Sequence, residues 1–402
     1  EGSGMSALAS MLHDSGNYVT GCDDAKVYSF TLAELEKRNI KVYKSAEALE
    51  KDMIYVYSSA IHEDHYSYKK AKELGCKMYE YYQMIGELTK KYDTICISGT
   101  HGKTTTTAML SNILKNTIGT NYLIGDGTGV IDKNSNNFIV ESCEFDRHLL
   151  NYYPKYTIIT NIFYDHVDCY KNIDEIIETF QKFVNQTEKK VIACGDNENV
   201  RKLKSDKIVY YGFNDNNDVK AVIKELHASG SSFDVYIKNK LFGSFNLNIF
   251  GKHMIENSLA CIYMAYLEGI SIEEITKYLN EFHGAKRRFT ETFVNDHVII
   301  DDYAHHPNEI KSTINAIKQK YPEKLIVSIF QPHTFSRTKE FAKDIAIELS
   351  KTDVSYIMDI HPAREKQEDF PDITKDIIIS KMKNAYPLTI NDANILNKHK
   401  DA

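Results

Sequence analysis

The chain has 402 residues, of which 42% are hydrophobic and 26% are charged, and its formal net charge is −7. At roughly 150 residues per domain, this length predicts two or three domains. The composition excludes a disordered chain, a collagen-like fibre and a small disulfide scaffold. An acidic chain without a basic block is a poor candidate for nucleic-acid binding. The longest apolar run, residues 259–267, is far shorter than the ~20 residues that cross a bilayer.

Cysteine and arginine usage narrows the class of protein further. The seven cysteines are spread along the chain without a Cys-x-x-Cys pair, which predicts a reduced, cytoplasmic protein with neither a disulfide frame nor a zinc finger. Only seven of the 49 basic residues are arginines. Because arginine is a planar bidentate donor and lysine is not, we expect some of these arginines to bind carboxylates or phosphates.

The first 92 residues alternate short apolar runs with amphipathic stretches, a pattern typical of an α/β domain with parallel strands. A Gly-Ser-Gly-Met-Ser segment at 2–6 opens the chain and is followed by a predicted helix over 7–14. Further elements are predicted as strands at 17–20, 40–43 and 53–57 and as a helix over 66–74.

The central region continues the same alternation. Strands are predicted at 94–97, 138–140, 156–160 and 191–194, with a glycine-rich turn over 119–129 and a helix over 253–267. Alternating runs at 233–237 and 245–249 predict a small antiparallel flap on this mostly parallel core.

The last region differs in texture, because six of the seven prolines lie at position 307 or later. Strands are predicted at 298–300, 324–330 and 354–359, and helices over 308–320 and 338–350. Pro307 falls at the start of the first of these helices, where a missing N–H does no harm.

The clearest motif is Ser-Gly-Thr-His-Gly-Lys-Thr-Thr-Thr at 98–106, between a predicted strand and a predicted helix. Glycines let backbone N–H groups close on phosphates, and the helix N-terminus adds positive potential. Lys103 can reach the outer phosphates, and the Thr104 hydroxyl can bind Mg²⁺. The loop is shorter than the usual phosphate-binding loop, because Ile97 stands where the first glycine would be. The motif predicts ATP and Mg²⁺ as ligands.

Acidic residues follow two later strands of the central region. Glu141, with Glu144 beyond it, follows one predicted strand, and Asp165 and His166 come shortly after another. Ligands bind outside the carboxyl ends of the strands in open α/β sheets. We therefore expect Thr104, Glu141 and His166 to share one edge of the sheet and to bind Mg²⁺.

Histidines and arginines cluster after the three strands predicted in the last region. The segments are 301–306, 331–337 and 361–365, and a Lys-Arg-Arg-Phe run at 286–289 precedes them. Such groups could hold a phosphate in its transition state or the carboxylate of a small amino acid. The histidines could instead bind a transition metal, although no His-x₃-His pair or neighbouring cysteine supports that alternative.

These segments, in this order, resemble those of the Mur ligases over essentially the whole chain. The most specific are Gly-Thr-His-Gly-Lys-Thr-Thr, Asp-Tyr-Ala-His-His-Pro and Gln-Pro-His-x-x-x-Arg-Thr. The resemblance implies an α/β protein of three domains. They are a Rossmann-like UDP-sugar-binding domain at 1–92, a central P-loop ATPase domain at 93–285 and a Rossmann-like amino-acid-binding domain at 286–402. It also implies a further strand before residue 1 and another after residue 402.

The resemblance implies a step of peptidoglycan precursor synthesis. ATP would phosphorylate the lactyl carboxylate of UDP-N-acetylmuramate, and the amine of L-alanine would attack the acyl phosphate. These two small molecules are the partners we expect, without nucleic acid or membrane, for a monomer or weak homodimer in the cytoplasm.

Site residues are carried over from the same resemblance. The implied ATP-binding residues are Gly99, Thr100, His101, Gly102, Lys103, Thr104, Thr105, His253, Asn257, Arg288 and Asp302. The implied metal ligands are Thr104, Glu141 and His166. The implied catalytic residues are Lys103, Glu141, His166, Arg288, Asp302 and His306. The implied substrate-binding residues are Gly4, Ser6, Asp23, Ser59, His305, His333, Arg337 and Arg364.

Three alternatives remain open. A related ligase attaches a whole tripeptide to UDP-N-acetylmuramate, and Arg337 and Arg364 could serve either acceptor. A folate or cyanophycin-type ligase is disfavoured by the Gly-Ser-Gly-Met-Ser start. A nucleotide-switched binding protein without ligase chemistry would use the same loop but would give the histidine and arginine segments no small-molecule role.

Overall fold

A computed structural model of the protein describes residues 2–24, 31–286, 288–363, 365–389 and 398–399. Residue contacts divide the chain into two units. The first unit comprises Glu1–Ile162, Ile176–Lys220 and Asn257–Leu279. The second comprises Phe163–Glu175, Ala221–Glu256 and Asn280–Ala402.

The helices alternate with strands along most of the chain. In chain order they are α1 (Ser3–Asp14), α2 (Leu32–Lys37), α3 (Tyr66–Leu74), α4 (Tyr81–Thr89), α5 (Lys103–Lys115), α6 (Ile173–Gln186), α7 (Lys252–Leu267), α8 (Ile272–Asn280), α9 (Pro307–Lys320), α10 (Phe335–Leu349) and α11 (Asp376–Ile379). Short 3₁₀ helices lie at Phe145–Asn151, Val200–Lys202 and Gln367–Asp369.

The strands of the first half of the chain belong to the first unit. They are β1 (Gly21–Cys22), β2 (Val42–Tyr43), β3 (Ile54–Tyr57), β4 (Lys77–Glu80), β5 (Asp93–Ser98), β6 (Asn121–Ile124), β7 (Thr128–Val130), β8 (Asn137–Glu141), β9 (Tyr156–Ile159), β10 (Lys190–Cys194) and β11 (Ile208–Gly212).

The remaining strands begin where the first unit passes into the second. They are β12 (Val219–His227), β13 (Gly230–Ile237), β14 (Lys240–Leu247), β15 (Thr290–Val294), β16 (His297–Asp301), β17 (Val327–Phe330), β18 (Val354–Ile357) and β19 (Ala385–Pro387).

The first unit is built on a mostly parallel sheet whose strands run in the order β11-β10-β9-β5-β8-β6-β7. β5 pairs in parallel with β8 on one side and with β9 on the other. Its residues from Thr94 to Ser98 are all buried, as expected for a parallel strand covered on both faces. This confirms the predicted mostly parallel core and places the end of β5 in the middle of the sheet.

The stretch at 119–129 was predicted to be a glycine-rich turn. In the structure it contains most of the antiparallel pair β6–β7. Helix α1 packs on this pair, and Gly129 allows the approach, because a Cβ there would lie 2.8 Å from the Met11 side chain. Leu8 and Met11 of α1 join the core of the first unit with Phe138 of β8. Gly129, which was predicted to be a turn residue, is therefore explained by the close approach of α1.

The strand predicted at 17–20 is wrong. The first strand is β1, which pairs with β2 through Gly21 and Cys22. Asn17 instead continues the end of α1, where its amide donates to Leu12 O at 2.9 Å and to Ser15 Oγ at 2.8 Å. Tyr18 is 78% exposed, so no burial favours a strand at this point.

The second unit contains the predicted antiparallel flap. β13 and β14 form a hairpin whose two-residue turn is Lys238 and Asn239, with φ of 49° and 64°. Positive φ at both positions is the type I′ geometry that matches the twist of a hairpin. The second strand begins at Lys240 rather than at 245, because pairing continues up to this tight turn.

The rest of the second unit contains the hairpin β15–β16 and, as a separate sheet, three parallel strands in the order β17-β18-β19. Helices α9 and α10 cover this sheet through a core that includes Ile314, Phe330, Ile345 and Ile357. The predicted strands and helices of this region are present with shifted ends. Among the residues that the structure describes, no helix is long and apolar enough to span a membrane.

Candidate active site

The predicted phosphate loop connects β5 to α5, as the sequence indicated. Gly99 and Gly102 have φ of 129° and 84°, which L side chains rarely adopt. The Thr100 N–H donates to Asn161 O at 3.0 Å, and the His101 N–H donates to Asn161 Oδ1 at 2.9 Å. A Cβ at Gly99 would lie 2.9 Å from that same carbonyl oxygen. Asn161 therefore fixes the loop against the end of β9, and glycine is required at position 99.

The start of α5 fits a bound phosphate group. Gly102 is the residue before the helix and offers no side chain to cap it, so the first N–H groups remain available to an anion. The buried side chain of Asn257 lies beside this glycine, where a Cβ would be 3.0 Å from Asn257 Oδ1. Thr105, in the first turn of the helix, is also buried.

Lys103 forms a buried ion pair with Glu144. Its Nζ lies 3.0 Å from Glu144 Oε2 and 3.1 Å from Thr100 O, and it also donates to Gly99 O. The side chains of Lys103 and Glu144 are only 16% and 2% exposed. Burial alone would lower the pKa of the amine, but the charge of Glu144 raises that pKa above its ordinary value. The ammonium therefore stays charged inside the loop.

Glu141 and Thr104, two of the three predicted metal ligands, are hydrogen-bonded to each other. The register of β5 with β8 sets Ile97 beside Glu141, at the carboxyl end of both strands. The Thr104 hydroxyl donates to Glu141 Oε1 at 2.8 Å, and the Gly125 N–H donates to Glu141 Oε2. A hydroxyl and a carboxylate are suitable oxygen ligands for Mg²⁺, so these residues fit such an ion.

The residues predicted to line the UDP-sugar site have polar and close contacts within the first unit. A Cβ at Gly4 would lie 2.8 Å from Tyr81 Oη. The Ser6 hydroxyl donates to Thr31 Oγ1 at 3.1 Å, and the Asp23 N–H donates to a β2 carbonyl at 2.9 Å.

Ser59 lines a cavity of about 550 Å³ in the first unit. Its other lining residues are Tyr57, Ile61, His62, Glu63, Asp64, Tyr68 and Glu80. Because three of these side chains are carboxylates, this wall does not by itself favour a diphosphate.

In the second unit, Glu309 contacts two of the predicted site residues, Arg288 and His305. Arg288 Nη1 lies 3.7 Å from Glu309 Oε1, and its guanidinium lies 5.4 Å from the ring centre of Tyr303. The His305 N–H donates to Glu309 Oε2 at 3.1 Å, and its ring Nδ1 lies 3.0 Å from Tyr303 O. Burial lowers the pKa of His305, which favours the neutral imidazole.

Asp302 directly follows the strand β16. Its carboxylate accepts the N–H groups of Phe289 and Ala304, each at 2.9 Å. Burial raises the pKa of this carboxyl despite those hydrogen bonds. His253, at the start of α7, is half-buried, and burial lowers its pKa to about 4.

His306 is the N-cap of α9. Its Nδ1 accepts the Asn308 N–H at 3.3 Å, and Glu309 completes a capping box. The ring is 4% exposed and packs edge-on against Phe341, with ring centres 4.9 Å apart. Its predicted catalytic role stays a prediction, whereas the cap is a structural role that the contacts define.

Arg337 and Asp165 form a buried ion pair in the second unit. Arg337 Nε and Nη2 donate to Asp165 Oδ1 at 3.1 and 2.9 Å, and Arg337 Nη1 lies 3.1 Å from His333 Nδ1. Burial alone would raise the pKa of Asp165, but the charges of His166 and Arg337 hold it well below the ordinary value. The carboxylate therefore orients the arginine and, through it, the histidine.

His166 lies next to this pair rather than in the first unit. Its φ is 52°, and its N–H donates to Asp165 Oδ1 at 2.8 Å. Thr104 and Glu141 belong to the first unit, so the expected common edge for all three metal ligands stays a prediction.

Three family models match the chain in sequence order. The Mur ligase family catalytic domain matches residues 1–93, the Mur ligase middle domain matches 97–265, and the Mur ligase glutamate ligase domain matches 287–394. The chain belongs to the Mur ligase family. Members of this family are ATP-dependent ligases of peptidoglycan synthesis, which agrees with the phosphate loop at the end of β5.

Solved structures share the fold of this Mur ligase. UDP-N-acetylmuramate-alanine ligase MurC of Thermotoga maritima is 24% identical, with a TM-score of 0.81 over 96% of this chain and 88% of that one. A murein peptide ligase of Psychrobacter arcticus is 22% identical, with a TM-score of 0.71 over 99% and 90%. MurF ligase of Thermotoga maritima, solved with ADP, is 14% identical, with a TM-score of 0.67 over 89% of both chains.

Sequence reasoning missed two carboxylates of this Mur ligase. Glu309 stands three residues after the N-cap His306, which is the spacing of a capping box, so the sequence did carry a signal for it. Glu365 accepts hydrogen bonds from the N–H groups of Phe335 and Ser336 at the start of α10. No local sequence pattern predicts this contact. Arg364, predicted to bind substrate, lies outside the described residues.

Proposed function

We propose that this Mur ligase joins L-alanine to the lactyl carboxylate of UDP-N-acetylmuramate in the cytoplasm, using ATP and passing through an acyl phosphate. The observation that carries the proposal is the loop at the end of β5, where Lys103 and Thr104 meet Glu144 and Glu141. Family membership supports ATP-dependent ligation, and the likeness to a MurC fold over nearly the whole chain supports the choice of acceptor.

The residue types of the first unit suit the activation step. A carboxylate accepts an amine only after one of its oxygens becomes part of a good leaving group, which phosphorylation provides. Lys103 and the first N–H groups of α5 would bind the phosphoryl oxygens on which charge develops. Thr104 and Glu141, with His166 as a further candidate, would hold Mg²⁺, which when bound neutralises phosphate charge.

The second unit offers candidate groups for nucleotide and amino acid. Arg288 and Asp302 would contact nucleotide, and His305, His333 and Arg337 would line the amino-acid side. The attacking amine must be neutral, and a half-buried neutral imidazole such as that of His305 could accept its proton.

A second candidate acceptor is a murein tripeptide. The fold likeness to a murein peptide ligase, which covers 99% of this chain, is the observation that favours it. The decisive assay measures ADP release by the purified chain with UDP-N-acetylmuramate and either L-alanine, glycine, L-serine or the tripeptide. We expect kcat/KM to be highest for L-alanine; a clear preference for the tripeptide would replace the proposal.

The same assay tests ligase chemistry against a nucleotide switch. ADP release should require both UDP-N-acetylmuramate and an amino acid. ATP hydrolysis whose rate does not depend on either substrate would refute ligation. Thr104→Val keeps the side-chain shape but removes the hydroxyl that donates to Glu141. We expect kcat/KM to fall at least about 100-fold, with an unchanged circular dichroism spectrum. Wild-type turnover in this variant would show that the loop does not bind the metal as proposed.

A further inference from the structure

The amine of Lys103 already has a full set of hydrogen-bond acceptors. An ammonium group has three N–H donors and no acceptor. The structure supplies three oxygen atoms around it, from Gly99 O, Thr100 O and Glu144 Oε2. A phosphate oxygen can therefore bind this amine only by displacing one of the three.

Two of the three oxygens are backbone carbonyl oxygens, which cannot move without moving the loop itself. Gly99 and Thr100 are backbone acceptors in a loop that Asn161 holds through the N–H groups of Thr100 and His101. The third oxygen belongs to a side chain with rotatable bonds. Glu144 is therefore the group that an arriving phosphate must replace.

The backbone around Glu144 holds its carboxylate beside the loop. Glu144 precedes the 3₁₀ helix Phe145–Asn151, where Arg147 N–H donates to Glu144 O at 2.9 Å. Asp146 and Arg147 both have positive φ, 46° and 59°. The Leu149 N–H closes the turn by donating to Cys143 O at 3.0 Å. A tight turn thus presents the carboxylate to the loop from the end of β8.

We propose that Glu144 is an internal mimic of a nucleotide phosphate, whose carboxylate occupies the phosphate position at Lys103 in the nucleotide-free chain and so sets nucleotide affinity by competition. This inference rests on the proposed function, because it requires that the loop bind a nucleotide. The competition weakens binding of both ATP and ADP. It also gives the buried ammonium a partner once ADP has left, so that release does not strand a charge in the loop.

The first test is the affinity for ADP by isothermal titration calorimetry. Glu144→Gln keeps the size of the side chain but removes its charge. The variant should bind ADP at least about tenfold more tightly than wild type, the factor expected for one charge-assisted hydrogen bond that no longer competes. Glu144→Asp keeps the charge on a shorter side chain and should lie between the two. Unchanged or weaker binding in Glu144→Gln would overturn the proposal.

Asp93→Asn is the matched control, because it also converts a carboxylate that pairs with a lysine into an amide. Asp93 lies at the opposite end of β5 from the loop and contacts Lys155 at 2.6 Å. Its affinity for ADP should stay within about twofold of wild type, since exposed pairs contribute little. An equal gain in affinity in this variant would attribute the effect to net charge and refute the specific role of Glu144.

A second measurement does not depend on the folding of a variant. In a crystal structure of the wild-type chain with ADP, the distance from Lys103 Nζ to the Glu144 carboxylate should exceed 4 Å. A pair still near 3 Å beside bound phosphate would overturn the proposal. If wild type binds no nucleotide at all, the proposed function fails. If wild type binds nucleotide but Glu144→Gln binds no more tightly, only this inference fails.

Discussion

Removal of the Arg337 charge should destabilise the second unit strongly. The side chains of Arg337 and Asp165 are only 10% and 6% exposed, and two guanidinium nitrogens donate to a single carboxylate oxygen at 2.9 and 3.1 Å. Arg337→Met keeps a long apolar side chain but leaves the Asp165 carboxylate buried without its cation. The loss comes mainly from that stranded charge rather than from the lost attraction.

The expected cost follows from this burial. Breaking a buried pair by removing one partner costs about 3–5 kcal/mol, or roughly a thousandfold in the unfolding equilibrium. For a unit of this size, that corresponds to a fall in Tm of roughly 10 °C. Asp165→Leu combined with Arg337→Met should cost less than Arg337→Met alone, because no unpaired charge then remains.

The assay is urea unfolding followed by far-ultraviolet circular dichroism and tyrosine fluorescence, since the chain has 27 tyrosines and no tryptophan. Lys351→Met is the control, because it removes a cation from a more exposed pair with Glu348 in the same unit and should cost less than about 1 kcal/mol. The reasoning is refuted if Arg337→Met costs no more than the control. It is also refuted if the double variant costs the sum of the single variants.

The sign of the pH dependence provides a further check on the same variant. In wild type, neighbouring positive charges hold the pKa of Asp165 low against the effect of burial. Arg337→Met removes one of these charges and leaves that of His166, so this pKa should be higher in the variant than in wild type. A carboxyl with a higher folded pKa favours the folded state more as the pH falls. The cost of Arg337→Met should therefore shrink as the pH falls from 7 towards 4.

Three other substitutions give independent tests. Gly99→Ala should abolish measurable ADP binding by calorimetry, because its φ is 129° and the new Cβ would lie 2.9 Å from Asn161 O. The control is Gly75→Ala, where φ is 70° and the space around the Cβ is open. This control should bind ADP as wild type does. Burial lowers the pKa of His253 from 6.5 to about 4, so between these values the unfolded chain binds more protons and stability decreases as the pH is lowered. Relative to His253→Gln, wild type should lose about 1–2 kcal/mol between pH 7.5 and 4.5 in urea titrations. Equal losses in the two proteins would contradict the shift. Glu365→Ala should cost about 1–2 kcal/mol, because its carboxylate caps α10; a change below ~0.3 kcal/mol would show that water replaces the cap.

Local signals predicted the part of the fold that positions the loop. The structure has β5, the phosphate loop and α5 where the sequence shows an apolar run, a glycine-containing loop and an amphipathic stretch. These patterns could be recognised because each depends on residues that are close together in the sequence. The strand predicted at 17–20 failed because it assumed that its apolar residues are buried, whereas Tyr18 is exposed. The β6–β7 pair was missed because glycine there serves the packing of α1, a contact between distant segments.

For the site, the sequence predicted that Thr104 and Glu141 lie close together, but it did not predict which charged residues contact each other. Glu141 was expected near Thr104, because the carboxyl ends of parallel strands share one sheet edge. The pairing of Lys103 with Glu144 spans 41 positions, and that of Arg337 with Asp165 spans 172. No spacing rule relates such distant residues, because their contacts depend on how separate elements of the chain pack.

The two buried ion pairs differ in a way that bears on their proposed roles. Lys103 has two fixed backbone acceptors and one movable carboxylate, so that a ligand can exchange with Glu144. Asp165 Oδ1 accepts two bonds from Arg337 and one from the His166 N–H, so displacing it would break three hydrogen bonds at once. The Nε–Nη2 edge of Arg337 is therefore committed to Asp165. An amino-acid carboxylate bound by Arg337 would have to use the Nη1–Nη2 edge, next to His333. The ion pair with Asp165 would then orient the guanidinium, and its other edge would bind the carboxylate.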